Sequence, residues 1–200
     1  MHHCTEYLPL GVKSILPAIH ALTGSDSTSK VSNKRIAPSK AEYFAQQLQN
    51  FGKTPINDEM ISTAETFLVS CLARKSSNAS TFKELRLEQY HKKAFKFDLE
   101  KIVPTSAKIR LHILRAYYQT YMWISAPYVS KCEIDPTHYG YELQIDILVP
   151  AITNNKSMPP DFPSPCNCLK CARATICPCR SRNISCCVFC KCENSCINLN

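Results

Sequence analysis

The chain has 200 residues, 44% of them hydrophobic, enough for one ordinary domain plus a small module. Its 24 Lys+Arg against 16 Asp+Glu leave a net charge of +8, a balance that suits an anionic partner such as nucleic acid but that plain basic proteins also reach. Only four glycines are present, too few to supply a glycine-rich phosphate loop.

The N-terminus, Met1 to Glu6, lacks the basic region of a signal peptide, and Pro9, Lys13 and Pro17 interrupt the apolar stretch after it. That stretch therefore reads as neither a leader core nor a membrane span. An intracellular, reducing setting is expected, in which disulfides are disfavoured and clustered cysteines are metal ligands.

From Leu8 to Trp123 the pattern is helical. Ser39 to Glu42 reads as a capping box, followed by Tyr43, Phe44, Leu48 and Phe51 at near-helical spacing, with Gly52 as a stop. Pro55 suits the first turn of a second helix, with Asp58 and Glu59 near its positive end and an apolar stripe of Met60, Ala64, Phe67, Leu68 and Leu72. Cys71 falls on that apolar side and reads as a small buried hydrophobe. Thr81 to Glu84 opens a third helix carrying Leu85, Leu87 and Tyr90. Pro104 to Trp123 is a fourth, with Ile109, Ile113, Ala116, Tyr117 and Met122 on one side. Between Phe82 and Arg115 there are nine Lys/Arg and four Asp/Glu, which reads as a solvated helix face or as a surface that tracks phosphates.

Prolines at 127, 136, 150, 159, 160, 163 and 165 then make an extended, irregular segment, in which Tyr141 to Val149 alternates as one short strand. Met158 to Pro165 is expected to be a stiff linker. The expected fold class is mainly α: an irregular helical region over 1–125, a Pro-rich extended linker over 126–165, and a small zinc-stabilised cysteine module over 166–197.

Ten of the 13 cysteines fall between Cys166 and Cys196. Nine of them, Cys166, Cys168, Cys171, Cys177, Cys179, Cys186, Cys190, Cys192 and Cys196, run as C-x-C-x2-C-x5-C-x-C-x6-C-x3-C-x-C-x3-C, with Cys187 left over. Zinc takes four tetrahedral ligands and favours thiolate sulfur. Three zinc ions need twelve ligand places, which nine cysteines fill if three sulfurs each bridge two ions. Two separate four-cysteine sites, or a metallothionein-like buffer, would also use such a segment. Nine thiolates and three Zn²⁺ leave −3, which Lys170, Arg173, Arg180, Arg182 and Lys191 offset. The module has few apolar residues, so zinc is expected to supply its folding energy, on the order of 10 kcal/mol per ion, and the metal-free tail to be disordered.

This spacing resembles the tesmin-type CXC domain, a nine-cysteine, three-zinc module. The stretch Cys177 to Cys196 matches that pattern closely, whereas the first half has x2 where x4 is common. Related modules occur in DNA-binding cell-cycle regulators, a dosage-compensation ubiquitin ligase and chromatin methyltransferases. The resemblance implies zinc, and nucleic-acid contact through Lys170, Arg173, Arg180, Arg182 and Lys191. The minor-groove tyrosine of the DNA-binding members is replaced here by Ile176.

Leu16 to Ser29 (Leu-Pro-Ala-Ile-His-Ala-Leu-Thr-Gly-Ser-Asp-Ser-Thr-Ser) resembles the "HALTGCD" signature of transposon-derived animal proteins. In that group a flap-endonuclease-like (PIN-type) domain precedes helices, a Pro-rich segment and a cysteine cluster. The same order recurs here, with Tyr117, Tyr118 and Trp123 in the helical part. A truncated remnant of the nuclease is expected at 8–52. Asp26 corresponds to a metal-holding carboxylate of such nucleases, but Glu6 is the sole acid before it, so a two-metal site cannot be assembled. Asp26 reads better as a turn or cap residue, and no catalytic residue is assigned.

The six histidines show no ligand spacing, and surface or core roles are expected. The expected function is a zinc-binding, nuclear, transposon-derived module that contacts nucleic acid or chromatin, not an enzyme. A residual metal-dependent nuclease fragment completed by a partner is one alternative, and a protein–protein scaffold is another. Neither a membrane nor a small-molecule substrate is implied.

Overall fold

The computed structural model describes residues 9–31, 37–74, 76–92, 102–128 and 134–153, and in the tail 166–168, 171, 177–181, 186, 190–192 and 198. The described chain is mainly helical. In order it runs α1 (Leu10–Thr23), α2 (Pro38–Leu48), α3 (Asp58–Leu72), α4 (Phe82–Lys92), α5 (Ser106–Ser125), a 3-10 turn (Pro136–Tyr139), strands β1 (Tyr141–Gln144) and β2 (Ile147–Pro150), and a short α6 (Pro178–Ser181). Two compact units result. One comprises Met1–Lys83 with Thr105–Thr153, the other Glu84–Pro104 with Asn154–Asn200.

In the first unit α1 packs on α2 and α5, and α3 packs on α2 and α5. The core is built from Val12, Ile15 and Leu22 of α1, Phe44 and Leu48 of α2, Phe67 and Leu68 of α3, and Ile109, Ile113 and Tyr117 of α5. Apart from the adjacent Phe67 and Leu68, these positions lie three, four or seven residues apart within each helix, which places them on one face. Ring edges lock the packing: Phe44 meets Phe67 at 5.3 Å and Phe51 meets Tyr117 at 5.4 Å, both edge-to-face. Cys71 is buried in α3, in line with its small apolar role. Pro17 lies inside α1 without ending it, leaving one carbonyl of the preceding turn without its helical donor. No described helix is long and apolar enough to cross a membrane.

Helix starts differ from the motif reading in two places. Ser39 is not a cap: Pro38 occupies the first turn of α2 and Ala37 precedes it without a side-chain cap, because a fixed proline φ already suits that position. Pro55 lies before α3, whose cap is Asn57, with its Oδ1 accepting 2.8 Å from the Met60 N–H. Asp58 and Glu59 do occupy the first turn. Gly52 adopts φ 82° in the turn after α2, and a Cβ there would lie 2.6 Å from Thr120 Cγ2. Chain reversal and close approach to α5 both require glycine at that point.

The single strand expected over Tyr141 to Val149 is instead an antiparallel hairpin, with Gln144 opposite Ile147 and Tyr141 opposite Pro150. Ile145 and Asp146 form the two-residue turn, both at positive φ (50° and 61°). Arg115 of α5 holds the hairpin base, its Nη1 donating to Gly140 O at 3.0 Å. The beginning of the Pro-rich segment is therefore structured and belongs to the helical unit. The linker stretch Met158 to Pro165 lies outside the described residues, as does 93–101 of the basic stretch.

Candidate metal centre

In the second unit the buried cluster of the tail consists of sulfur alone. Cys166, Cys171, Cys177, Cys179, Cys186, Cys190 and Cys192 are buried together, with the partly exposed Cys168 packed against them. Among the described tail residues no hydrocarbon side chain joins this cluster, so something other than apolar burial must hold the sulfurs together.

Local structure delivers each thiol. Cys166, Cys168 and Cys171 each stand outside any helix or strand. Cys177 precedes α6 and Cys179 sits within it, where Pro178 starts the turn and the Ser181 N–H closes it on Cys177 O at 2.9 Å. The Lys191 N–H donates to Cys166 O at 2.9 Å, which brings Cys190 and Cys192 beside the first cysteine. Arg180 Nη1 donates to Cys171 O at 2.9 Å and ties α6 to the first run.

The thiols fall into three overlapping tetrads whose sulfurs lie within 4.8 Å of one another. One is Cys166, Cys168, Cys171 and Cys177; the second is Cys166, Cys171, Cys186 and Cys192; the third is Cys166, Cys179, Cys186 and Cys190. Cys166 is common to all three, while Cys171 and Cys186 each belong to two. The Cys166 sulfur lies 3.7 Å from that of Cys171 and 3.8 Å from those of Cys186 and Cys192. Cys179 and Cys190 are also 3.7 Å apart. A zinc–sulfur bond of about 2.3 Å implies a tetrahedron edge of about 3.8 Å, close to these spacings, whereas a disulfide would need about 2.05 Å. Cys168 is tighter, at 3.1 Å from both Cys166 and Cys171. None of the described cysteines is in a disulfide. The donor set therefore fits metal ions, and zinc is compatible with it.

The electrostatics point the same way. Burial, reinforced by the thiols of Cys168 and Cys171, pushes the Cys166 thiol well above its ordinary range. Burial does the same to Cys171, aided by Cys168, Cys192 and Cys186. Cys179 is pushed up to about 12 by burial and by the Cys190 thiol. Burial also opposes ionisation of Cys177, but the Arg180 N–H and the thiols of Cys171 and Cys168 outweigh it and bring it down to about 6. Packed this closely without a cation, Cys166, Cys171 and Cys179 keep their protons. A divalent ion must displace those protons, and in return it neutralises the repulsion among the thiolates.

Two second-layer contacts support the sulfurs. The Cys166 N–H donates to Cys190 Sγ at 3.4 Å. Asn198 donates through Nδ2 to Cys186 Sγ at 3.4 Å, and its carbonyl accepts the Cys186 N–H at 2.7 Å. Donors aimed at sulfur stabilise the thiolate form. Asn198 carried no sequence signal, since a lone asparagine near a cysteine run has no distinguishing pattern.

Of the nine cysteines singled out from spacing, eight converge here, and Cys196 lies outside the described residues. Among the basic residues, Lys191 is exposed and Arg180 is half-buried on the Cys171 carbonyl. Lys170, Arg173 and Arg182 lie outside the described residues, as do Cys187 and Ile176.

The N-terminal motif is built as a helix end and a turn. His20 stacks on Trp123, with ring centroids 5.3 Å apart and planes at 14°. Gly24 has φ 120°, and a Cβ there would lie 2.5 Å from Lys30 Cα. Thr28 is buried, its hydroxyl donating to Ala21 O at 2.8 Å, and Ser25 pairs with Thr28 across the turn. Asp26 is exposed at the tip. Among the described residues, every set of three or more Cys, His, Asp or Glu able to share an ion is made of tail cysteines.

No family model, curated protein or solved structure matches the chain, so its resemblances rest on the motif residues alone.

Proposed function

We propose that the chain is a zinc–thiolate protein derived from a transposable element, whose tail contacts nucleic acid or chromatin in the nucleus. The observation that supports it most is the convergence of eight cysteines into three tetrads at tetrahedral spacing. Three tetrads ask for twelve ligand places, and the eight thiols fill them only if Cys166 serves three ions. If Cys196 takes one of those three places, nine sulfurs hold three zinc ions, with Cys166, Cys171 and Cys186 each bridging two. Bound zinc supplies the cross-links that a tail without an apolar core lacks.

The nucleic-acid part rests on charge and on the CXC resemblance. The cluster carries −3 in this form, and the basic residues around it exceed what neutrality needs. Lys191 is exposed and suits a phosphate contact. Arg180 is engaged with the Cys171 carbonyl and acts first on the fold of the tail. No catalytic role is proposed for Asp26, which is exposed at the tip of a turn.

Titration of a DNA duplex at several salt concentrations tests the binding. Affinity should fall steeply with salt, and Lys191→Ala and Arg182→Ala should each reduce the slope by about one. Salt-insensitive binding, identical in wild type and both variants, would refute the nucleic-acid reading. A partner pull-down that survives nuclease treatment would then favour the scaffold.

A further inference from the structure

We infer that the Cys168–Cys171 pair is a redox-labile edge of the cluster, at which a hydroperoxide oxidises the tail and releases metal in steps. The inference rests on the zinc–thiolate reading above. Two observations single out this pair. The seven other described cysteines of the cluster are at most 5% exposed, while Cys168 is partly exposed. Its sulfur also makes the shortest approaches, 3.1 Å to Cys171 and to Cys166. An oxidant arriving from solvent therefore meets Cys168 first and finds a second sulfur within reach. Cys171 is the better resolving partner, because a two-residue spacer closes a disulfide ring of the kind that dithiol oxidoreductases use, and a one-residue spacer closes a tighter ring.

The chemistry balances with one hydroperoxide. The Cys168 thiolate attacks the peroxide oxygen, the O–O bond breaks, and alcohol or water leaves, giving a sulfenic acid. The Cys171 sulfur then attacks the Cys168 sulfur, an S–S bond forms, and hydroxide departs to be protonated. In sum two thiolates, one hydroperoxide and two protons give one disulfide, one alcohol and one water, the alcohol being a second water when the oxidant is hydrogen peroxide. Two electrons pass from sulfur to peroxide.

The consequences differ among the tetrads. The set with Cys168 loses two of its four ligands, and the set of Cys166, Cys171, Cys186 and Cys192 loses one. The set of Cys166, Cys179, Cys186 and Cys190 keeps all four. Metal should leave in two phases, with the last ion held until further oxidation. A dithiol reductant and added zinc should reverse the first phase.

The test uses the full chain, purified with zinc and treated with one equivalent of hydrogen peroxide. Zinc release is followed with a chelating dye, and disulfides are mapped by mass spectrometry at early times. The expected first product is the Cys168–Cys171 disulfide, with partial release of zinc and recovery on reduction. In Cys171→Ser, oxidation should still begin at Cys168, as a diketone-trappable sulfenic acid or a disulfide with Cys166. A first product at any other sulfur, Cys187 included, or simultaneous oxidation of all thiols with complete release, would overturn the inference. A chain that holds no zinc but still oxidises first at Cys168 and Cys171 would remove the metal reading and keep the thiol assignment.

Discussion

A buried thiol among other thiols is stable either protonated or bound to a cation, and Cys166 is the extreme case in this chain. It is fully buried, shared by three tetrads and pinned by backbone bonds at both its N–H and its carbonyl. Cys192 is equally buried but belongs to one tetrad. Replacing Cys166 by serine should therefore cost at least twice as many bound zinc ions per chain as Cys192→Ser, read by native mass spectrometry. Equal losses would argue against a shared central sulfur. The spacing of the cysteines made this cluster legible in the sequence, because metal ligands must recur at short, fixed intervals. Their division into tetrads was not legible, since it depends on how the intervening turns fold.

His112 gives a second prediction at the same scale. Its Nε2 lies 2.7 Å from Leu22 O, and its buried Nδ1 has no hydrogen-bond partner. Burial, with the nearby Arg115 adding to it, lowers its pKa below the ordinary 6.5, against the raising effect of the Leu22 carbonyl. The unfolded chain thus takes up this proton before the folded one does. The stabilisation is present at neutral pH and is lost as pH falls below about 6.5 towards the folded value. Trp123, the single tryptophan, reports on this unit by fluorescence. Thermal unfolding at pH 7.5 and 5.5 should show a smaller acid-induced drop in His112→Gln than in wild type. Parallel drops in the two proteins would exclude His112 as the source.

At the level of elements, helix positions were readable because apolar residues recur with helical period, as at Ala64, Phe67 and Cys71 or Ile109 and Ile113. Their first turns were less so: Pro38 and Asn57 set the starts of α2 and α3, and a capping-box pattern at Ser39 pointed two residues too far along. The hairpin was hidden for a chemical reason. Its turn is Ile-Asp, whereas two positive φ angles in succession favour Asn-Gly. A β-branched residue at φ 50° is strained, and Ile145 is also 97% exposed. Ile145→Asn with Asp146→Gly should therefore stabilise the first unit by about 0.5–2 kcal/mol, seen as a raised midpoint in urea. A lowered midpoint would mean that the turn is not of this type.

Across the whole molecule, the two units are stabilised by different physics. The first buries phenylalanine, leucine and isoleucine between helices, and the described tail of the second buries sulfur. Composition already suggested this contrast, since apolar residues are spread through the first three-quarters of the chain and cysteines crowd the last. What composition did not reveal is that the hairpin joins the helical unit, because Arg115 secures it through backbone carbonyls that no sequence pattern marks. The contrast also separates two responses to a chelator. Helical circular dichroism and Trp123 fluorescence should persist, while protection of the tail against proteolysis should be lost.

Zinc content of the purified full chain, read by native mass spectrometry before and after chelation, bears most directly on the proposed function. The shared-sulfur cluster predicts three zinc ions per chain, whose removal leaves the tail unfolded. Two ions would indicate separate four-cysteine sites, and none, with disulfides in their place, would contradict the metal reading altogether.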